Sequence, residues 1–302
     1  MNAVAPKLDA AAWTMLLVLS VLWGGSFLYV KVALAELPPV TVVALRAIFG
    51  GALLLILARF RGLSMPRDAR TWRAFAVLAL LNTVIPFVLI AWGQQSMTIG
   101  LAAILNAATP LSTLVLAHFM TDDEPLSGRR AAGVLIGFAG VILLVGPEAL
   151  SGLGSALWAQ IACVVATISY GFALIWARRL RGLDGVVAAS GQFICAAPIS
   201  FALACLVDQP WNLPMPGPAA ITSVAGLALL STAAAYVVYF RIMQRYGAGN
   251  ASLVTMLIPP SAMALGAIFL GESPDMLSLA GFATIVAGLA LVDGRLFARW
   301  VR

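Results

Sequence analysis

LALLNT runs from Leu78 to Thr83, and LALLST runs from Leu227 to Thr232, 149 residues later. Held at that offset without a gap, the register pairs Gln95 with Gln244, Gly100 with Gly249, Ala102 with Ala251, Pro110 with Pro259, Ser112 with Ser261 and Pro125 with Pro274. Thirteen of the 48 positions from Leu78 to Pro125 are identical. With one residue dropped, it continues through Gly133 and Gly281, Gly140 and Gly288, and Gly146 and Gly294. Apolar sequence produces chance matches, but prolines and glycines matched in one register mark an internal duplication. The register fades towards the start of each half, around Gly25 and Gly171.

Composition says what is duplicated. The 302 residues are 62% hydrophobic and 10% charged, with mean hydropathy +1.00, whereas soluble domains carry about 45–50% apolar and about 25% charged residues. Apolar stretches long enough to cross a hydrocarbon core of about 30 Å recur along the chain. We read ten spans, at 12–34, 40–58, 73–94, 98–119, 130–146, 155–177, 186–206, 221–243, 247–270 and 277–294. The joints between them are short, as in ELPP and DQPWNLPMPGP, and leave no room for a soluble domain. The expected fold is all-α and integral to the membrane.

Each repeat unit then holds five spans, at 1–147 and 148–302. Because five is odd, the second copy enters the membrane from the opposite side. Two inverted five-helix repeats related by an axis in the membrane plane are an architecture of secondary transporters, in which the halves exchange shapes around a midplane site.

Charge orients the ten spans. Sixteen of the eighteen Lys and Arg fall on one side: Lys7; Arg59, Arg61, Arg67, Arg70 and Arg73; Arg129 and Arg130; Arg178, Arg179 and Arg181; Arg241 and Arg245; Arg295, Arg299 and Arg302. Basic loops stay in the cytoplasm, so both termini are expected there. The pI of about 9.7 reports topology, and a nucleic-acid partner is not expected. Ala33-Leu34-Ala35 resembles a signal-peptidase site, but the preceding apolar run is too long for a signal core and Lys31 interrupts the approach.

The chain resembles the drug/metabolite transporter superfamily, specifically the EamA-type bacterial exporters with five-plus-five helices. The resemblance covers essentially the whole chain. It rests on WGGSFLYVK from Trp23 to Lys31, PPVTVVALR from Pro38 to Arg46, and the paired half-endings DDEPLSGRRAAGVLIGFAGVILL and GESPDMLSLAGFATIVAGLAL. It implies export of amino acids or other small metabolites across the bacterial inner membrane, through a central cavity lined mainly by spans one, three, four, six, eight and nine.

Polar residues at midplane depth are costly unless they meet protein or a wet cavity, which makes them the first site candidates. Asn82 in span three has Ser231 in span eight as its repeat mate, and Asn106 in span four has Thr255 in span nine. Interhelical hydrogen bonding, worth about 0.6 kcal/mol each on average, is the alternative. Trp23, Tyr170, Tyr236 and Tyr239 lie well inside spans one, six and eight, and with Ser26 and Ser169 complete the candidate lining. Core or lipid-facing packing competes for each aromatic. Trp72, Trp211 and Trp300 read as interfacial anchors. Pro110 and Pro259 each remove a backbone donor and are candidate helix breaks.

Lys31 and Arg46 break the charge rule near the outer face. An Arg at the helix centre costs about 2.5–3.5 kcal/mol, so Arg46 is expected to point inward or to snorkel, with Glu36 as a partner; gating or attraction of a carboxylate is the other reading for both cations. All twelve acidic residues lie in tails, joints or span ends, leaving no midmembrane carboxylate for a proton relay or sodium site. His118, the one histidine, is the remaining candidate for proton coupling. Cys163, Cys195 and Cys205 have no metal spacing, and no metal or cofactor is expected. Gly133, Gly137 and Gly140 form a small-residue stripe for packing within the fold or for a dimer.

The expected partners are a small-molecule substrate and the lipid bilayer, with one chain forming a complete path. Facilitated diffusion is favoured; the alternatives are a proton-coupled multidrug or metabolite exporter and, in a different class, a polytopic membrane enzyme. An enzyme is disfavoured because no nucleophile–base pair, metal cluster or carboxylate dyad stands out.

Overall fold

The structure, a computed structural model, describes residues 9–121, 127–151 and 154–293. Lys7, Pro125, Gly294, Arg295, Arg299, Trp300 and Arg302 lie outside the described residues. Ten helical spans follow one another: α1 (Ala10–Ala33), α2 (Pro39–Phe60), α3 (Ala69–Gln94), α4 (Ile99–Met120), α5 (Gly128–Ser151), α6 (Ser155–Ala177), α7 (Gly185–Val207), α8 (Pro218–Tyr246), α9 (Val254–Leu270) and α10 (Met276–Asp293). Eight of these reach the length and apolarity of a membrane span, and α9 and α10 are shorter apolar helices. No strand occurs among the described residues.

Local chemistry sets the helix starts. Asp9, Asp68, Thr98 and Asp184 each accept a hydrogen bond from a backbone N–H in the first turn of α1, α3, α4 and α7, as N-caps do. Pro39 and Pro218 open α2 and α8, where a missing N–H costs nothing. Asp68 explains why α3 begins before residue 73, despite the charged residues of its first turn. The outer surface carries large apolar side chains such as Phe60, Phe119, Leu206 and Ile268, all more than 70% exposed. Such a belt suits lipid and would be a liability in water.

The packing repeats across the halves. α1 lies on α8 and α9, and α6 lies on α3 and α4; α2 packs on α7, and α5 on α10. Repeat mates make equivalent contacts: Ser261 of α9 shares a hydrogen bond of 2.9 Å with Ser20 of α1, and Ser112 of α4 shares one of 2.8 Å with Thr167 of α6. The glycine stripe of α5 packs within the fold. A Cβ on Gly133 would lie 2.7 Å from the Gly288 carbonyl, and one on Gly140 would lie 2.8 Å from that of Gly281. Each of these glycines therefore faces the mate of the other.

The repeated phrase is where both helices depart from α geometry. Leu80–Val84 and Leu229–Ala234 are π-helical turns, starting 149 residues apart in α3 and α8. A π turn places one extra residue in a helix and frees a carbonyl from the regular ladder. Here the irregularity stitches the halves together: Ser169 of α6 donates to the Leu81 carbonyl at 2.7 Å, and Ser231 donates to the Leu22 carbonyl of α1 at 2.7 Å.

α4 is interrupted and α9 is preceded by a break, but the two breaks are not in register. The α4 break at Ala107–Ala108 is followed by Thr109 and Pro110, with Pro110 in the first turn of the new segment. In the second half the break falls at Ser252–Leu253, after a short helix at Ala248–Ala251; Pro259 stands with Pro260 inside α9 and is no break. Both breaks use one device, a threonine hydroxyl donating three residues back: Thr109 to the Asn106 carbonyl and Thr255 to the Ser252 carbonyl, each at 2.7 Å. Thr255 thus makes the contact that Thr109 makes in the first half, although the 149-residue register pairs it with Asn106.

Candidate functional site

A cavity of about 500 Å³ lies where the two halves meet. Its lining comes from α1, α2, α3, α4, α6, α8, α9 and the end of α10. Val42, Val43 and Arg46 of α2 and Val292 of α10 add two helices to the six expected from sequence. Trp23, Ser26, Asn82, Asn106, Tyr170, Tyr236, Tyr239 and Thr255 line it together, as do Pro110 and Arg46. Ser169, Ser231, Pro259, Lys31 and His118 are not among the lining residues.

One wall is aromatic. The Trp23 ring lies 5.3 Å from Tyr239 and 6.4 Å from Tyr236, centroid to centroid, and Phe193 backs Tyr236 edge-on at 5.8 Å. Offset and edge-on pairs of this kind hold rings in place. Amides complete the lining. Asn82 donates to the Gln192 side-chain oxygen at 3.2 Å, and Gln192 in turn donates to Thr83. The buried side-chain oxygen of Asn106 accepts no hydrogen bond. A buried acceptor without a donor is costly, so Asn106 is poised for a ligand or for water.

Arg46 points inward. It is 7% exposed, and its guanidinium donates to Thr232 Oγ1 at 3.1 Å, Ser26 Oγ at 3.0 Å and the Ser231 carbonyl at 3.4 Å, with its carbon 4.0 Å above the centre of the Phe87 ring. The expected pairing with Glu36 is not formed, because Glu36 instead accepts from the backbone N–H of Gly217. Lys31 also has a structural partner. Its ammonium donates to the Gln94 and Met97 carbonyls at 2.6 and 3.0 Å, satisfying the end of α3 where a cation is favoured. Ser169 and Ser231 are the buried stitches at the π turns. His118 is exposed, beside Phe119 near the end of α4.

Three carboxylates bind the halves together at one end of the bundle. Glu272 accepts from the Ile99 N–H at 3.0 and 3.2 Å, Asp208 from the Thr41 N–H at 2.7 Å and its hydroxyl at 2.9 Å, and Glu36 from Gly217. Each carboxylate belongs to one half and serves a helix start of the other, where negative charge is favoured. At the opposite end Asp68 and Asp184 serve their own helices. There Asp9 also accepts from the hydroxyl of Tyr246, at the end of α8 in the other half, at 2.7 Å. Asp9 is held below the usual carboxylate range by the Ala12 N–H and by that hydroxyl.

Sequence reasoning missed Phe87, Gln94 and Gln192. Phe87 gave no signal within an apolar span, whereas the two glutamines were visible as amides in apolar helices.

The model of the EamA-like transporter family matches the chain twice, at residues 11–146 and 157–293. The chain belongs to that family. As an EamA-like protein it is a multi-pass membrane protein in a family of transporters. It is similar to the uncharacterized transporter YoaV of Bacillus subtilis, with 23% identity over 89% of this chain and 92% of the relative. It is also similar to the uncharacterized inner membrane transporter YedA of Escherichia coli K12, with 24% identity over 92% and 89%. A relative from Streptantibioticus cattleyicolor named "Probable terminal-alkyne amino-acid exporter" is 27% identical over 97% of this chain and 96% of its own. A solved crystal structure superposes with a TM-score of 0.67, covering 98% of this EamA-like chain and 100% of its own at 20% identity. That likeness carries the fold alone.

Proposed function

We propose that this EamA-like protein exports small neutral or apolar metabolites, with amino acids as the substrate class, by alternating access of its two halves around the central cavity. One chain supplies the whole path, both termini face the cytoplasm of a bacterium, and the halves divide near residue 147. The observation that carries this reading is the cavity between the halves, lined by clustered aromatic rings and by side-chain amides. Rings accept an apolar side chain, and amides with unmatched acceptors accept its polar end. The name of the Streptantibioticus relative supports the amino-acid class.

Facilitated diffusion fits the lining better than coupling to an ion. None of the described cavity-lining residues is Asp, Glu or His, so the walls offer no group that carries a proton near neutral pH. The same composition disfavours organic cations, which would want a buried carboxylate.

Uptake of radiolabelled phenylalanine or leucine into proteoliposomes without any ion gradient tests the proposal. Saturable uptake is expected, and Asn82→Ala with Asn106→Ala should lower it at least about tenfold, the scale of one or more lost polar contacts to a desolvated solute. Uptake that starts only when a pH gradient is imposed contradicts the facilitative mechanism, and its absence in both conditions contradicts the amino-acid class.

A further inference from the structure

Arg46 is a buried cation that meets no anion among the described residues. Among the described residues its hydrogen-bond partners are two hydroxyls and one carbonyl, all neutral, and no acidic residue lines the cavity it faces. Desolvating a charge against neutral groups alone is unfavourable. Structural cations elsewhere are handled otherwise: Lys31 spends its charge on the end of a helix. The guanidinium has five N–H donors, and the three hydrogen bonds leave two of them without a partner among the described residues. Phe87 lies against its face at 4.0 Å and fixes its plane, and the bonds to Thr232 and Ser26 fix its rotation in that plane. A guanidinium held this way, with donors to spare on a cavity wall, is prepared for a planar two-oxygen anion.

We infer that Arg46 binds the carboxylate of the transported solute, and that this carboxylate, more than an ammonium group, is what the cavity selects. The assignment rests on the transport reading above and narrows it to solutes with one carboxylate and an apolar body. The ammonium of an amino acid has neutral acceptors only, such as the unmatched Asn106 oxygen. The acid lacking the amine is therefore accepted, while the amine lacking the acid meets an uncompensated positive charge and is refused. Doubly charged phosphates are disfavoured, since Arg46 is the one cation among the described lining residues.

The experiment is competition against radiolabelled L-phenylalanine counterflow in proteoliposomes, using 3-phenylpropanoate, L-phenylalaninamide and phenethylamine. With the wild-type protein, 3-phenylpropanoate should compete within about tenfold of phenylalanine, and the amide and amine at least about tenfold more weakly than the acid, as expected for loss of a charge-assisted bidentate contact. Arg46→Gln should weaken the two carboxylates and erase the discrimination, whereas R46K should keep part of it. The wild-type comparison requires no variant, so misfolding of either substitution leaves the assignment exposed to disproof. Equal competition by the amide and phenylalanine overturns the role of Arg46 while the transport reading stands. Failure of labelled phenylalanine to move at all overturns the transport reading and this assignment with it.

Discussion

Gly288→Ala is expected to remove most of the folded, monodisperse protein. A Cβ at this position would stand 2.5 Å from both the Gly133 carbonyl oxygen and the Gly137 nitrogen. Both are backbone atoms of α5, so no side chain can swing aside, and relief requires α5 and α10 to separate. These helices bury the end of each half against the other, with Ile285 fully enclosed and Gly140 facing Gly281 in the matching contact. In lipid there is no hydrophobic drive to hold helices together, so close backbone approach through small residues carries the association. Overpacking a fixed site costs about 1–3 kcal/mol, a large share of a marginal stability. Thermal unfolding in detergent, followed by size exclusion, measures it. Gly146→Ala is the reference: a Cβ there has nothing within 4 Å, and it should be neutral or slightly stabilising. Equal stability of the two variants would contradict the packing described.

Deleting Leu81 is expected to abolish uptake while leaving the protein folded. The π turn at Leu80–Val84 holds one residue more than an α turn needs. Removing one residue restores the α ladder and keeps the faces on either side in place, with Phe75 in the core below and Phe87 and Gln94 on the cavity above. The bend of Asn82 towards the cavity is lost, together with the carbonyl that Ser169 reaches. Uptake should fall by at least about a hundredfold, since misplacing a contact group by about 1 Å already costs a similar factor in well-organised sites. Thermal stability should change by less than in Gly288→Ala. Full uptake by the deletion variant would mean that the π turn has no part in transport.

The two halves of the account were legible to different degrees. Span number and bounds could be read because apolar length is a composition property, and α6 spans 155–177 as expected from it. The repeat could be read from LALLNT and LALLST, but not the π turns they form. A wide turn depends on which carbonyls find partners in other helices, such as Leu81 with Ser169, and that information is tertiary. Register and local structure part at one place: Asn106 and Thr255 are mates by sequence, yet Thr255 makes the hydroxyl contact that Thr109 makes in the first half. Arg46 announced itself as an anomaly of charge, while its true partners, Thr232, Ser26 and Phe87, carry no charge by which to be found. Glu36 was the obvious partner in sequence and went to a helix start, since a backbone N–H at Gly217 competes for the same carboxylate.

The most direct test of alternating access follows from the unequal ends of the bundle. The start of α4 lies against α9, with Gly100 on Met263, and Glu272 closes over it. Spin labels at Thr98 and Ser273 report on that end, and labels at Met120 and Arg245 report on the other. Distances measured by double electron–electron resonance, with and without saturating phenylalanine, should show a second population in which the first pair moves apart as the second closes. A single unchanged distance for both pairs, or movement of both in the same direction, would contradict the exchange of shapes between the two halves.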